Sequence, residues 1–184
     1  EAAKYDMKVL LDFHYSDFWA EPAVQLVPKA WKKDVNNTEK MCSDVYDFTK
    51  ESIQKFKDAG ANIGMVQVGN EITNGLLGIY SNRDKGESFN VIWGDKKKST
   101  EVNKYLKAGI KAVREYTPQA LVALHLETPN VWKYKTIMNT WKRDNVDYDV
   151  LGSSYYPFWS IAAKANTPKT LKDVQTLAAS YGKI

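Results

Sequence analysis

Along the chain, apolar runs of strand length alternate four times with longer segments of helical period. A βαβα order of this kind predicts a parallel sheet with helices packed on it. The first run, 7–13, is followed by a loop rich in Trp and Pro, then by a helix over 38–59 in which Met41, Val45, Phe48 and Phe56 keep one face. Asn37 or Thr38 supplies its cap, and Gly60 ends it. The second run, 61–68, is separated by a long polar stretch from a helix beginning near Thr100, with Val102, Leu106, Ile110 and Val113 on its core side and Pro118 marking its end. The third run, 121–126, leads through Pro129 into a helix carrying Val131, Tyr134, Met138 and Trp141. The fourth, 148–155, precedes a helix that starts near Pro168, places Leu171, Val174 and Ala178 on one side and stops at Gly182.

No Pro/Gly/Ser-rich linker or break in composition divides these units, and they share no close self-similarity, so one domain without sequence repeats is expected. Residues 1–6 read as the tail of a helix feeding a strand, and Tyr181-Gly182-Lys183-Ile184 as a helix stop followed by the first residue of another strand. The expectation is a partial domain over 1–184, cut in mid-fold at both ends. Four units in 184 residues is about 46 per unit, and eight would be about 370, within the range of a (β/α)8 barrel with loop insertions. The predicted class is therefore α/β: a fragment of a TIM (β/α)8 barrel of about four βα units. The alternative, a complete doubly wound domain of flavodoxin type, would start at a strand and carry a phosphate-binding turn, and neither is visible.

Composition narrows the function. With 43% hydrophobic and 12% aromatic residues the chain can bury a sizeable core, which excludes disorder. The net charge of +4, from 26 basic and 22 acidic residues, is spread along the chain and implies no nucleic-acid partner. The densest basic run, Lys96, Lys97 and Lys98, reads as a solvated loop without function. A single cysteine, Cys42, excludes an intrachain disulfide framework and a four-cysteine zinc site; it falls in a helical pattern with no histidine nearby and reads as a spectator thiol. No apolar run approaches the ~20 residues needed to span a bilayer, so no membrane partner is expected.

In a (β/α)8 barrel the active site lies at the carboxyl ends of the strands. The residues found there are Asp12, His14 and Tyr15 after the first run, Asn70 and Glu71 after the second, His125 at the third, and Ser154, Tyr155 and Tyr156 at the fourth. Both histidines of the chain are in that set. A carboxylate where a buried strand runs out is partly desolvated, which raises its pKa and suits Glu71 to general acid work; capping a helix or pairing with a lysine is the other reading. Asn70 can hydrogen-bond a sugar hydroxyl or satisfy the turn. Aromatic residues gather in the same loops: Phe13, Tyr15, Phe18, Trp19 and Trp31, then Tyr155, Tyr156, Phe158 and Trp159. Such rings make platforms for the C–H faces of pyranoses, or pack against the rim. Asp12, His14, Glu71 and His125 are types that could share a divalent ion, but two histidines on different strands without an H-x-H or H-E-x-x-H spacing argue against metal catalysis. Neither a G-x-S-x-G elbow nor a Gly-rich phosphate loop is present. No metal and no cofactor are expected.

The strings Leu10-Leu11-Asp12-Phe13-His14-Tyr15-Ser16-Asp17-Phe18-Trp19-Ala20, Pro28-Lys29-Ala30-Trp31, Gln67-Val68-Gly69-Asn70-Glu71-Ile72 and Gly152-Ser153-Ser154-Tyr155-Tyr156-Pro157-Phe158-Trp159 resemble those of the endo-β-1,4-galactanases. These are also called arabinogalactan endo-β-1,4-galactosidases, and belong to the large (β/α)8 clan of retaining glycoside hydrolases. The resemblance runs from about Met7 to the end of the chain and is most specific in the first and fourth blocks. It implies a retaining mechanism in which Glu71 is the acid/base and Asn70 steadies the nucleophile and the 2-hydroxyl. Asp12, His14, His125 and Tyr155 match positions lining the subsite at the cleavage point, and Trp19, Trp31 and Trp159 match platform residues. By the family's register the four strands are the third to the sixth, and the nucleophile Glu belongs to the seventh strand, beyond Ile184. Asp149 is expected early in the fourth run, away from the sugar, and Glu127 in the loop after His125 with no role carried over. The stretch 77–98 is longer and more polar than the short Gly/Trp loop of many members and is expected to reshape one end of the cleft.

The resemblance implies a secreted, extracellular enzyme whose partner is a polysaccharide, the β-1,4-galactan side chains of pectin. Alone, a chain without the nucleophile is expected to be inactive, and with two open sheet edges to need the missing barrel strands for a complete fold. The alternatives are another β-glycanase of the clan, acting on β-glucan, mannan or xylan, and a non-catalytic carbohydrate-binding half barrel.

Overall fold

The computed structural model describes residues 1–156 and 168–184. Four parallel strands form the main sheet: β1 (Lys8–Phe13), β2 (Asn62–Val68), β5 (Leu121–Leu126) and β6 (Val150–Ser153). Their order across the sheet follows their order in the chain. A doubly wound sheet reverses that order at its switch point, whereas a barrel keeps it, so the topology favours the barrel. A small antiparallel hairpin, β3 (Gly75–Leu76) and β4 (Ile79–Tyr80), stands apart from the main sheet.

The connecting helices are α1 (Thr38–Asp58), α3 (Lys96–Tyr116) and α4 (Val131–Arg143), with α5 (Pro168–Ser180) after β6. Neighbours α1 and α3, α3 and α4, and α4 and α5 pack in succession. Alternation along the strands sends Leu11 and Phe13, Val66 and Val68, and Val122, Leu124 and Leu126 into the buried core that includes Met41, Val45, Ile53, Leu106, Ile110 and Trp141 of these helices. The paired positions Leu10 with Met65, Asp12 with Gln67, Gln67 with Ala123, and His125 with Gly152 share the opposite face. On that face Leu10 is 52% and Leu121 38% exposed. Polarity rises towards its carboxyl end, through Asp12, Gln67 and His125.

Most predicted elements lie within two residues of the observed ones, and the larger differences have physical causes. Helix α3 begins at Lys96 rather than near Thr100, because Asp95 accepts from Lys97 N at 2.8 Å and Lys98 N at 3.1 Å. The three lysines read as a loop are therefore its first turn. The fourth strand is shorter than 148–155, since the Tyr148 ring turns into the core against Trp141, at a centroid separation of 5.2 Å. Its ladder still reaches Ser154, whose N–H donates to Leu126 O at 3.0 Å. Ile184 pairs alongside β6, donating to Asp149 O at 3.0 Å and accepting from Leu151 N at 2.9 Å.

The polar stretch 77–98 is better anchored than its composition suggests. A short helix, α2 (Asn90–Trp93), buries Ile92 and Trp93, and the Trp93 indole donates to Thr73 O at 2.6 Å. Cys42 is half-buried, and burial pushes its thiol pKa up, as fits a spectator. No helix among the described residues is long and apolar enough to cross a membrane.

The amino end of the sheet is tied by Arg114, which meets Asp149 through two bonds of 2.9 and 3.1 Å. Burial pushes the Asp149 carboxyl up, but Arg114 and the Val122 N–H together overcome it and leave it below the usual range. The hydrogen bond from Arg143, helped by Asn103 and Thr100, does the same for Asp144, against burial. A depressed pKa gives stability that is present above the ordinary carboxylate pKa and lost as pH falls. Thermal unfolding followed against pH is thus expected to lose stability below about pH 4, and Asp144→Asn to flatten that loss.

Candidate active site

The turn Gly69-Asn70-Glu71 ends β2 in a left-handed sequence, with φ +85° at Gly69 and +49° at Glu71. Gly69 accepts the first of these without cost, and its N–H donates to Phe13 O at 3.0 Å, which ties the turn to β1. Glu71 holds the second against the usual preference of L residues, a conformation that concentrates at functional sites. A Cβ on Gly69 would lie 2.7 Å from Ile72 Cγ2. Gly69→Ala is therefore expected to shift Asn70 and Glu71 and lower turnover by on the order of 10²-fold, with a smaller effect on thermal stability. Both are read on the same preparation.

Asn70 is buried and held from three sides. Its Nδ2 donates to Ala20 O at 2.8 Å, its Oδ1 accepts from Gln67 Nε2 at 3.1 Å, and its carbonyl accepts from Gln25 Nε2 at 2.9 Å. Gln67 Nε2 also donates to Asp12 Oδ1 at 2.6 Å. His14 Nδ1 accepts from Ala20 N at 3.0 Å, which leaves Nε2 to donate to Asp12 Oδ2 at 3.2 Å. Burial raises the Asp12 pKa; His14 and Gln67 oppose it.

Glu71 is half-buried, and desolvation pushes its carboxyl above the ordinary value. The nearby charges of Glu127 and Glu21 push the same way, while the charge of His14 acts against them. Glu71 Oε1 meets Ser154 Oγ in a short hydrogen bond. Ser154 Oγ also lies 2.9 Å from His125 Nε2, and His125 Nδ1 lies 2.8 Å from Asn70 Oδ1. Burial lowers the His125 pKa to about 4, so the ring is neutral near pH 7. A cavity of about 440 Å³ opens over this group, lined by Glu21, Pro22, Glu71, Arg83, Glu127, Thr128, Ser154 and Tyr156.

The structure thus brings together Asp12, His14, Asn70, Glu71 and His125, from three strands, at one end of the sheet. Trp19 lies beside them, 75% exposed, with its ring edge-on to His14 at 5.2 Å. Trp31 is placed elsewhere. It packs with Tyr15 and with Phe48 of α1, at 6.3 and 5.9 Å, in the aromatic cluster on the helix side of the sheet. Tyr15, also on that side, donates or accepts with Thr49 Oγ1 at 2.8 Å. Tyr155 is partly exposed, and the cavity wall is supplied by Tyr156 instead. Trp159 lies outside the described residues. Asp149 sits at the opposite end of β6, bonded to Arg114. Glu127 lines the cavity and pairs with Lys133 at 3.0 Å. Among the described residues no cluster of three or more His, Cys, Asp or Glu could hold a metal ion.

Sequence reasoning missed Gln67, Ser154 as a partner of Glu71, and Arg83. Gln67 had a signal: it is the one polar residue inside Val66-Gln67-Val68, so its side chain faces away from the helices. Arg83 had none, because its loop reaches the cavity only through the packing of the hairpin and α2.

The chain-ordered parallel sheet, helices on one face and polar residues at the carboxyl rim define a segment of a (β/α)8 barrel. The sequence profile described as glycosyl hydrolase family 53 matches residues 1–183, and the chain belongs to that family. It is 43% identical over 178 residues to an endo-β-1,4-galactanase of Bacillus subtilis (strain 168), covering 96% of this chain and 36% of that protein. Among solved structures, the Ignisphaera aggregans GH53 catalytic domain superposes with a TM-score of 0.74 at 30% identity, over 96% of this chain and 44% of that one. A fungal β-1,4-galactanase does so with 0.77 at 27% identity, over 99% and 52%. The chain spans about half the length, or less, of these relatives.

Proposed function

We propose that the whole protein is an endo-acting retaining glycoside hydrolase that cuts β-1,4-galactosidic bonds in galactan and arabinogalactan. The observation that carries this reading is Glu71: a half-buried carboxyl with a raised pKa, held at a strand end over an open cleft, in a chain of this family. A carboxyl with a raised pKa holds its proton to higher pH and can protonate the glycosidic oxygen as the bond breaks, and its carboxylate can then activate water. In retaining chemistry a second carboxylate about 5 to 5.5 Å away attacks the anomeric carbon. Glu127 pairs with Lys133, and Asp149 sits at the far end of β6. The resemblance to the galactanases implies that the nucleophile is a Glu of the family's seventh strand.

Asn70 orients the nucleophile and the 2-hydroxyl in this reading. Asp12, His14, His125 and Tyr155 line the subsite at the cleavage point, and Trp19 and Trp159 offer ring faces to the polymer. The apolar inner face at Leu10 and Leu121 is covered by the remaining strands of a (β/α)8 catalytic domain of which residues 1–184 are part. A polymeric pectic substrate places the enzyme outside the cell. Reducing-end release by the full-length protein from linear β-1,4-galactan, β-glucan, mannan and xylan tests the reading. Activity confined to galactan is expected; activity confined to another glycan replaces the substrate, and silence on all four favours a carbohydrate-binding role.

A further inference from the structure

We propose that Ser154 is a positioning residue for Glu71: it accepts the carboxylic proton of Glu71 and donates its own to His125, so that the Asn70–His125–Ser154 chain holds Glu71 in its acid form. The proposal rests on the reading of Glu71 as the acid/base, and it follows from counting hydrogens.

The amide of Asn70 has one allowed orientation. Nδ2 must donate to the Ala20 carbonyl, and Oδ1 must accept from Gln67, whose other amide hydrogen goes to Asp12. Asn70 Oδ1 is then an acceptor, so His125 Nδ1, 2.8 Å away, donates to it, and the Glu71 N–H, at 3.3 Å, is the weaker competitor for the same nitrogen. A neutral imidazole carries one N–H. With that hydrogen on Nδ1, Nε2 is a bare acceptor, and among the described residues the hydrogen available to it is that of the Ser154 hydroxyl, at 2.9 Å. Ser154 Oγ is left with lone pairs towards Glu71 Oε1. Two oxygens in hydrogen-bond contact need one proton between them, and Glu71 supplies it.

The ionised state needs a different arrangement. For Ser154 to donate to the carboxylate, its oxygen must accept from His125 Nε2–H, so the ring must exchange one proton off Nδ1 and one onto Nε2 through water. Nδ1 then loses Asn70 as an acceptor and keeps only the Glu71 N–H, at 3.3 Å, as a donor. The resting network therefore favours the protonated acid. The other charged or titratable groups around Glu71 are Glu127 with its partner Lys133, Glu21, His14, Arg83 and Tyr156. Glu127 and Lys133 pair with each other and His14 with Asp12, so these groups take no part in the count of hydrogens.

The sign of one substitution separates the two roles of Ser154. A hydroxyl that donates to Glu71 stabilises the carboxylate, and removing it raises the Glu71 pKa. A hydroxyl committed to His125 stabilises the acid, and Ser154→Ala lowers the pKa, by roughly 0.5 to 1 pH unit for the loss of one ordinary hydrogen bond. The measurement is the carboxyl ¹³C titration of Glu71 in the full-length protein, wild type and Ser154→Ala, without substrate, with ¹⁵N shifts of the His125 ring nitrogens on the same samples. The proposal expects an Nδ1–H tautomer in the wild type below the Glu71 midpoint, a lower midpoint in Ser154→Ala, and recovery in Ser154→Thr. An Nε2–H tautomer in the wild type, or a midpoint that rises in Ser154→Ala, overturns it. These readouts need no hydrolysis, so a failure on galactan refutes the functional reading and leaves the network to be judged by the spectra. In the active enzyme the alkaline limb of kcat/KM moves to lower pH with the midpoint.

Discussion

Glu71→Gln is expected to lower galactan hydrolysis by the full-length protein by about 10² to 10⁴-fold, the usual worth of a positioned general acid/base. The amide fills the same space and can donate to Ser154 through Nε2, so the fold should not change. What is lost is the proton delivered to the departing sugar. The loss should accordingly depend on the leaving group: large for a galactan bond, and much smaller in the bond-breaking step for an aryl β-galactoside whose phenolate departs without protonation. Values of kcat/KM on both substrates, which end at the bond-breaking step and so leave out the loss of Glu71 as base in the second step, check this, with thermal unfolding as the control for folding. Equal losses on the two substrates would remove Glu71 from the role of acid.

The second large effect belongs to the core. Trp141 is fully buried on α4, edge-on to Trp93 of α2 at 6.2 Å and to Tyr148, before β6, at 5.2 Å. It therefore fastens the inserted stretch 77–98, α4 and the start of the fourth strand to one another. Trp141→Ala opens a cavity that three separately connected segments would have to close, and burial of this kind costs about 3–5 kcal/mol. The expected result is a thermal midpoint lower by roughly 4 to 6 °C, seen in the full-length protein by calorimetry. The same variant should loosen the Arg83 side of the cleft before the Asp12 side, because α2 leans on this ring and β1 does not. Hydrogen exchange at Asn90–Trp93 reads that difference.

The frame of the molecule was legible because its signals are periodic. Strand-length runs, helical faces and end signals such as Asn37, Gly60, Pro118 and Gly182 placed four βα units, and the rule that barrels carry chemistry at their carboxyl ends then selected Asp12, His14, Asn70, Glu71 and His125. The resemblance to galactanases rested on strings in the same places, and family membership agrees with it.

What was not legible depends on contacts between distant segments. Trp31 sits among aromatic residues in sequence, yet its ring belongs to the cluster of Tyr15 and Phe48 on α1, a partner 17 positions away that no local pattern announces. The start of α3 was misplaced because the apolar period begins at Val102, about two turns after the cap at Asp95 that holds the helix end. The stretch 77–98 read as polar because its charges outnumber its apolar residues, although Phe89, Ile92 and Trp93 are buried and carry its packing. Ser154 was located on the rim, but its two partners come from β5 and from the turn after β2, so its part in the proton network appears only in three dimensions.

The most direct test of the whole account is the configuration of the first product. Proton NMR of linear β-1,4-galactan, in the first minutes after adding the full-length protein, resolves the anomeric signal of the new reducing end before mutarotation. A retaining enzyme built around Glu71 releases the β-anomer first, with the α-anomer growing in later. Release of the α-anomer first would contradict the account, since it requires direct attack of water rather than a covalent intermediate.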